Sequence, residues 1–313
     1  MAATTVRLRR PDGATIAGPV NGYGPSGFAF LDAITLPSVG VHTILVDPST
    51  NSTGSATVKV HQVADATGPI APDGSATAAV NSVPGQNVAL SFEGVAGQRV
   101  SATIAPSLTG DVSGSGQGTL YLLAPNGSQL GSAAIAPSGF LDTKLLPASG
   151  TYTGYVDPAR DLTGTVTLRL YDVQDATTSA TIGGGAASVQ TTTPGQNAQI
   201  GFSATAGQRV SISSSGLAFS GARVTLKGPA GQTVSGPTTV SQSPYFFEPV
   251  ALAQTDGHTI DIDPSGTWTG TASMTLHDVP ADVSGTIAIG GSAPISITAP
   301  GQNATLTFAG TQG

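Results

Sequence analysis

Four phrases recur along this chain in constant order, and no other feature restricts its fold so strongly. PGQNVALSFEGVAGQRV at 84–100 returns as PGQNAQIGFSATAGQRV at 194–210 and as PGQNATLTFAGTQG at 300–313, so the starts are spaced by 110 and 106 residues. GVHTILVDP (40–48), GTYTGYVDP (150–158) and GHTIDIDP (257–264) keep the same spacings between Asp47, Asp157 and Asp263. Six residues after each of these acids come TGSATVKVHQV (53–63), TGTVTLRLYDV (163–173) and TGTASMTLHDV (269–279). VRLRRPDG (6–13), LYLLAPNG (120–127) and VTLKGPAG (224–231) complete the set. The unit is therefore about 107 residues, a typical domain size and far longer than a solenoid period. The phrases divide the chain into an incomplete repeat at 1–69, repeats at 70–176 and 177–282, and the start of a further repeat at 283–313.

Within a unit the hydrophobic pattern has period two. Val166, Leu168 and Leu170 alternate with Thr165, Thr167 and Arg169, and their counterparts are Ala56, Val58, Val60 and Ala272, Met274, Leu276. Val88, Leu90, Phe92 and Ala304, Leu306, Phe308 alternate in the same way. This spacing predicts strands with one buried and one wet face. Turn signals such as Pro-Asn-Gly at 125–127 and Asp-Pro separate the runs, and no segment carries a capped pattern of period 3.6. The expected fold is all-β, in tandem antiparallel β-sandwich repeats of jelly-roll-like form.

The composition agrees, with 42 Gly, 22 Pro and only 9% charged residues, against roughly 25% in ordinary soluble domains. A net charge of −7 with no basic cluster argues against nucleic acid and anionic membrane as partners. Cysteine is absent, which removes disulfides, thiolate metal sites and thiol catalysis. The uncharged stretch 176–208 is filled with Gly, Thr, Ser and Pro, so it reads as strands and loops and no transmembrane segment is expected. MAATTVRLRR passes into PDG without an apolar run, and no signal peptide is read there.

Phe92 followed by Ala96 to Val100, then Leu120 to Gly127, Leu146 to Val156 and Thr163 to Leu170, carry a recognisable order of motifs. It resembles the bacterial pre-peptidase C-terminal (PPC) domain, a jelly-roll-like, collagen-binding-like β-sandwich found repeated in secreted proteases and large surface proteins. It is also similar to the tandem sandwiches that precede YD-repeat regions in giant exported bacterial proteins, on the phrase DVPADVSGTI at 278–287. The resemblance implies secretion, a role in attachment or spacing and, in some members, calcium binding.

An enzyme would start from the four histidines, yet His42 and His258 occupy the position of Tyr152, while His61 and His277 occupy that of Tyr171. A position that accepts Tyr or His reads as a half-buried strand site with a polar tip. Neither G-x-S-x-G nor H-E-x-x-H occurs, so no catalytic residue is assigned. Two acidic columns recur: Asp47, Asp157 and Asp263 before proline, and Asp32, Asp142 and Glu248. With Asp261 these are the calcium candidates, since Ca²⁺ takes six to eight oxygens. For the Asp-Pro column a type I turn, its carboxylate accepting a backbone N–H, is the favoured local reading. No other cofactor is expected. Trp268, the sole tryptophan, is the candidate for stacking on a sugar.

These readings predict an extracellular or cell-surface structural protein, a stalk, fibre or spacer with no enzymatic activity. Its expected partners are copies of itself or neighbouring repeats, and head-to-tail assembly into filaments would use the sparsely charged sheet edges. The rival from another class is a polysaccharide- or collagen-binding adhesion module.

Overall fold

The computed structural model describes residues 4–22, 28–49, 51, 53–110, 116–219 and 221–312. The chain is all-β and mostly antiparallel, with no helix among the described residues. It forms two compact units, 1–172 and 173–313.

The first unit opens with β1 (Thr4–Arg9), β2 (Thr15–Gly22) and β3 (Thr43–Pro48), which form a three-stranded sheet of order β2-β1-β3. Nine strands follow: β4 (Ala66–Pro69), β5 (Thr77–Asn81), β6 (Val88–Gly94), β7 (Arg99–Thr109), β8 (Gly118–Leu123), β9 (Gln129–Ala134), β10 (Gly139–Leu145), β11 (Gly150–Pro158) and β12 (Thr163–Asp172). They make a five-stranded sheet, β4-β6-β11-β8-β9, and a four-stranded sheet, β10-β7-β12-β5. β4 and β6 run parallel; the other neighbours in these two sheets are antiparallel.

The second unit repeats this order with β13 (Ala176–Ser179), β14 (Ala187–Thr191), β15 (Ala198–Ala204), β16 (Arg209–Leu217), β17 (Ala222–Lys227), β18 (Thr233–Val240), β19 (Tyr245–Ala251), β20 (Asp256–Pro264) and β21 (Gly270–Asp278). Its sheets are β13-β15-β20-β17-β18 and β14-β21-β16-β19. β22 (Val283–Thr286) and β23 (Ala304–Thr307) then form a parallel pair, as β13 and β15 do.

Period two decides which face of each strand is buried. In the first unit Val88, Leu90 and Phe92 of β6, Leu120 and Leu122 of β8 and Val156 of β11 share one core with Ile104 of β7, Leu141 of β10 and Val166, Leu168 and Leu170 of β12. Both sheets thus contribute to a single cluster. In the second unit Ile200, Phe202, Leu226, Ile260 and Ile262 meet Ile212, Met274 and Leu276 in the same way. Each fully buried aliphatic side chain contributes about 1.5–3 kcal/mol relative to exposure, so these positions carry most of the stability of each unit.

The same pattern misleads at 53–62. Ala56, Val58 and Val60 alternate like Val166, Leu168 and Leu170, yet they lie in no strand, and Val58 and Val60 are 50% and 78% exposed. The reason is the missing neighbour. β12 is held by β7 on one edge and β5 on the other, and among the described residues no strand pairs with 53–62. Phe308 likewise is 67% exposed where Phe92 and Phe202 are each 5% exposed.

Candidate functional site

The most elaborate polar structure outside the cores is a joint between consecutive repeats, built on the PGQN turn. The glycine of that turn has φ of +79°, +82° and +90° at Gly85, Gly195 and Gly301, a left-handed conformation that glycine alone adopts without strain. The turn aims the glutamine side chain back across the chain. Gln86 Nε2 donates to the Ala64 carbonyl at 2.7 Å while its Oε1 accepts the Ser82 N–H at 2.7 Å. Gln196 does the same with Gln174 (2.6 Å) and Thr192 (2.7 Å), and Gln302 with Ala281 and Thr298 (both 2.8 Å). A segment that leaves one repeat is thereby tied to the first turn of the next.

The asparagine of the phrase adds a second tie. The Asn87 N–H donates to Asp65 at 3.3 Å and the Asn303 N–H to Asp282 at 3.2 Å. Asp65, Asp175 and Asp282 form a third acidic column that the sequence reading did not separate from other loop acids, although its spacings of 110 and 107 residues were a readable signal. In the second unit Arg209 Nη1 bonds Asp282 at 2.9 Å and the Pro280 carbonyl at 3.2 Å. That guanidinium, then the Asn303 N–H, holds the Asp282 carboxyl below the usual range.

β10 and β19 carry β-bulges at equivalent positions. Between Leu141 and Lys144 the β10–β7 register shifts, so Asp142 and Thr143 together oppose Ser101; Glu248 and Pro249 oppose Ser211 in β19–β16. Ser101 and Ser211 are completely buried, and Ser211 Oγ donates to the Pro300 carbonyl of the following turn at 2.7 Å. A Cβ placed on Gly301 would stand 2.4 Å from Pro249 Cγ. In the first unit the corresponding approach is between Gly85 and Asp32–Ala33, at 3.3 Å. Asp32 and Glu248 therefore stand beside a PGQN turn within their own units. It is in their column that the local acid–amide contact expected for the Asp-Pro column occurs, for Asp32 and Asp142 accept the N–H groups of Ala33 and Thr143, both at 2.7 Å.

The Asp-Pro column itself is not a turn. Asp47, Asp157 and Asp263 lie within β3, β11 and β20, opposite Thr5, Thr119 and Arg223, and each proline is the last residue of its strand. A strand end tolerates proline because the ladder needs no further donor there, so the pairing runs on through the acid. Burial, then Asp32, then Asp65 raise the carboxyl of Asp157 above its ordinary range. Beside it, burial first and then Asp65, Asp157 and Asp32 push up the phenol of Tyr155, against a lowering hydrogen bond from Asn87.

The structure thus brings Asp32 and Asp157 together, with Asp65, while Asp47 faces Arg7 at 3.4 Å near the surface. Asp142 and Glu248 are exposed. In the second unit Lys227 Nζ sits 2.7 Å from Asp261, and Gln199 Nε2 reaches both Asp261 (3.4 Å) and Asp175 (3.2 Å). Among the described residues no group of three or more His, Asp or Glu side chains is arranged to hold a metal ion. The space left inside the first core, lined by Phe92, Leu141 and Leu168, measures about 10 Å³, and that in the second, lined by Ile212, Leu226 and Ile260, about 20 Å³. A small-molecule pocket is typically about 300–1,000 Å³, so neither space admits a ligand.

His258, His277 and His42 each make a side-chain hydrogen bond. His258, 1% exposed, stacks on Phe202 at 5.5 Å, and its Nδ1–H donates to the Asp256 carbonyl at 2.9 Å. His277 meets Ser213 Oγ at 2.8 Å, where Tyr171 meets Thr103 Oγ1 at 3.5 Å. His42 keeps the backbone contact, to the Gly40 carbonyl at 3.2 Å, while His61 is exposed. Trp268 lies in the turn between β20 and β21 and is 49% exposed.

No protein-family profile matches this chain, and no curated protein matches it. Among solved structures, the chain is similar to the periplasmic inhibitor of g-type lysozyme, PliG, of Aeromonas hydrophila, at 17% identity and TM-score 0.25, over 35% of this chain and 98% of that one. It is also similar to the CUB1-EGF-CUB2 domains of human MASP-1/3 (10% identity, TM-score 0.21, 64% of this chain and 99% of that one). The PBSX exported protein XepA gives 12% identity and TM-score 0.21 over 64% of this chain and 85% of that one. Likenesses at this level carry no argument about function.

Proposed function

We propose that this chain is a structural repeat protein of the cell exterior, a stalk or spacer made of jelly-roll-like β-sandwich repeats, with no catalytic centre. The observation that carries the reading is the joint. The glutamine clamp is built three times on equivalent partners, and Gly85 and Gly301 each close on the repeat before them. Such repetition supports a role for this polar chemistry in tying one repeat to the next. Two facing sheets over one core support the sandwich form. No helix of the described residues is long and apolar enough to cross a membrane, so the placement outside the cell rests on the resemblance to exported repeat domains.

The second reading, an adhesion module for polysaccharide or collagen, is favoured by one observation, the half-exposed indole of Trp268. One experiment separates the two. The whole chain is applied to immobilised collagen and to a glycan array, with Trp268 emission followed in solution. A spacer binds neither and its emission is unmoved; saturable binding lost on Trp268→Ala would establish the adhesion reading instead.

A further inference from the structure

Two asparagines of the chain precede glycine, Asn21 and Asn126, and the fold treats them differently. Asn21 lies in β2 opposite Thr5 of β1, and the glycine that follows it, Gly22, is buried. The backbone there is extended and belongs to a ladder. Asn126 stands in the turn between β8 and β9, where residues 125–129 are all exposed. A Cβ placed on Gly127 would meet nothing within 4 Å, and its φ is +79°.

We propose that Asn126 is a site of spontaneous modification, at which the side-chain amide is lost and an aspartyl or isoaspartyl residue with one added negative charge takes its place. The Gly127 nitrogen gives up its proton to base and attacks Asn126 Cγ. The new N–C bond forms, the Cγ–Nδ2 bond breaks, and ammonia leaves with a proton. The five-membered imide that remains takes up one water. Opening between the Gly127 nitrogen and Cγ gives aspartate, and opening between that nitrogen and the Asn126 backbone carbonyl carbon gives isoaspartate. Asparagine and water thus become aspartate and ammonia, with no other reactant.

The contacts of this turn favour the step. The Ser128 N–H donates to Asn126 Oδ1 at 3.0 Å, and Ser128 Oγ donates to the same atom at 2.7 Å. The ring closed by the first bond contains both reacting atoms, so Cγ and the Gly127 nitrogen are kept in one small loop. As the nitrogen adds, charge develops on Oδ1, where both donors already point. Glycine leaves the approach free of a side chain. The Gly127 N–H is held by the Ala124 carbonyl at 2.8 Å and must be released first, while the bond from the Ala124 N–H to the Ser128 carbonyl, also 2.8 Å, keeps the strands paired.

The fold already holds the aspartyl product. Asp12 occupies the place of Asn126 in the phrase shared by 6–13 and 120–127, and its Oδ1 accepts the Ala14 N–H at 2.9 Å as Asn126 accepts that of Ser128. Asp12 also pairs with Arg10 at 3.2 Å, whereas Ala124 stands at that place in the second phrase. The new carboxylate therefore adds an unneutralised charge at an exposed hairpin tip.

The test follows the full-length protein in mild alkali by ion exchange and by peptide mapping with electron-transfer fragmentation, which separates aspartate from isoaspartate. In the folded chain Asn126 should convert at least about tenfold faster than Asn21, and the two should approach equal rates in denaturant, where only the shared glycine remains. Ser128→Ala should slow the folded-state reaction at Asn126 at least about threefold. Asn126→Asp should shift the melting temperature by no more than about 4 °C, as an ordinary surface substitution does. Equal rates at the two asparagines of the folded chain, conversion of Asn21 alone, no conversion of either while the denatured chain reacts, a Ser128→Ala variant as fast as the parent, or an Asn126→Asp chain that melts far below it would each overturn the proposal. None of these outcomes touches the spacer reading, which stands on separate residues.

Discussion

Tyr152 lies over Phe92 with ring centroids 5.6 Å apart, and its hydroxyl donates to the Ala148 carbonyl at 2.6 Å. His258 lies over Phe202 with the same offset, but its ring nitrogen reaches the Asp256 carbonyl instead. A flat ring with a polar tip is what the position demands, and which backbone carbonyl satisfies the tip depends on the length of the side chain.

Tyr152→Ala should therefore cost about 3–5 kcal/mol in the first unit, the usual range for emptying an aromatic site in a core. Tyr152→His should cost less than half as much, because the sister position shows a histidine accommodated. Denaturant unfolding of the whole chain, read by amide exchange in β6 and β11, checks both. Equal costs for the two variants would show that ring stacking is not what the site selects.

Two carboxylates should give opposite pH dependences. Burial and the neighbouring Asp32 and Asp65 raise the folded-state pKa of Asp157, so its stabilising contribution is complete below the unfolded value of about 3.9 and is lost as pH rises through the raised folded value. Asp157→Asn should accordingly raise the melting temperature of the first unit at pH 7 and leave it nearly unchanged at about pH 3. Asp282 is depressed by Arg209, so its contribution is present above the unfolded value and disappears as pH falls through the folded one. Arg209→Ala should reduce protection of Val283–Thr286 at neutral pH and have little effect in strong acid. Melting curves and amide exchange at several pH values test the pair.

The glutamine clamp needs a donor and an acceptor on one side chain. Gln302→Glu keeps the oxygen that accepts the Thr298 N–H and sets a carboxylate against the Ala281 carbonyl. Losing the bond and leaving that carbonyl unpaired should cost about 1–3 kcal/mol locally. Exchange of the amides of β22 and β23 should quicken about tenfold or more, with β15 and β20 unaffected. Unchanged exchange in β22 would show that the clamp is not holding the joint.

Gly301→Ala meets two obstacles at once. The left-handed backbone costs roughly 1–2 kcal/mol for a residue with a Cβ, and that atom would stand 2.4 Å from Pro249 Cγ. The turn should pull away from the β19 bulge and break the Ser211 bond to the Pro300 carbonyl. Pairing Gly301→Ala with Pro249→Ala should recover part of the loss, as a double-mutant cycle on exchange rates would show.

The amino-acid sequence by itself determined the strands and their repetition. Val88, Leu90, Phe92 and Val166, Leu168, Leu170 announce their buried faces because strand geometry alternates sides, and equal offsets alone identify His258 with Tyr152. Only the tertiary structure decided whether a strand-like segment would find neighbours. Ala56, Val58 and Val60 have the pattern of β12 and no strand, since a ladder needs a hydrogen-bonding partner and no strand among the described residues pairs with them. The convergence of Asp32, Asp65 and Asp157, which come from three separate segments, was invisible for the same reason. Period and spacing report what one segment can do, whereas pairing and charge proximity belong to segments far apart in the chain.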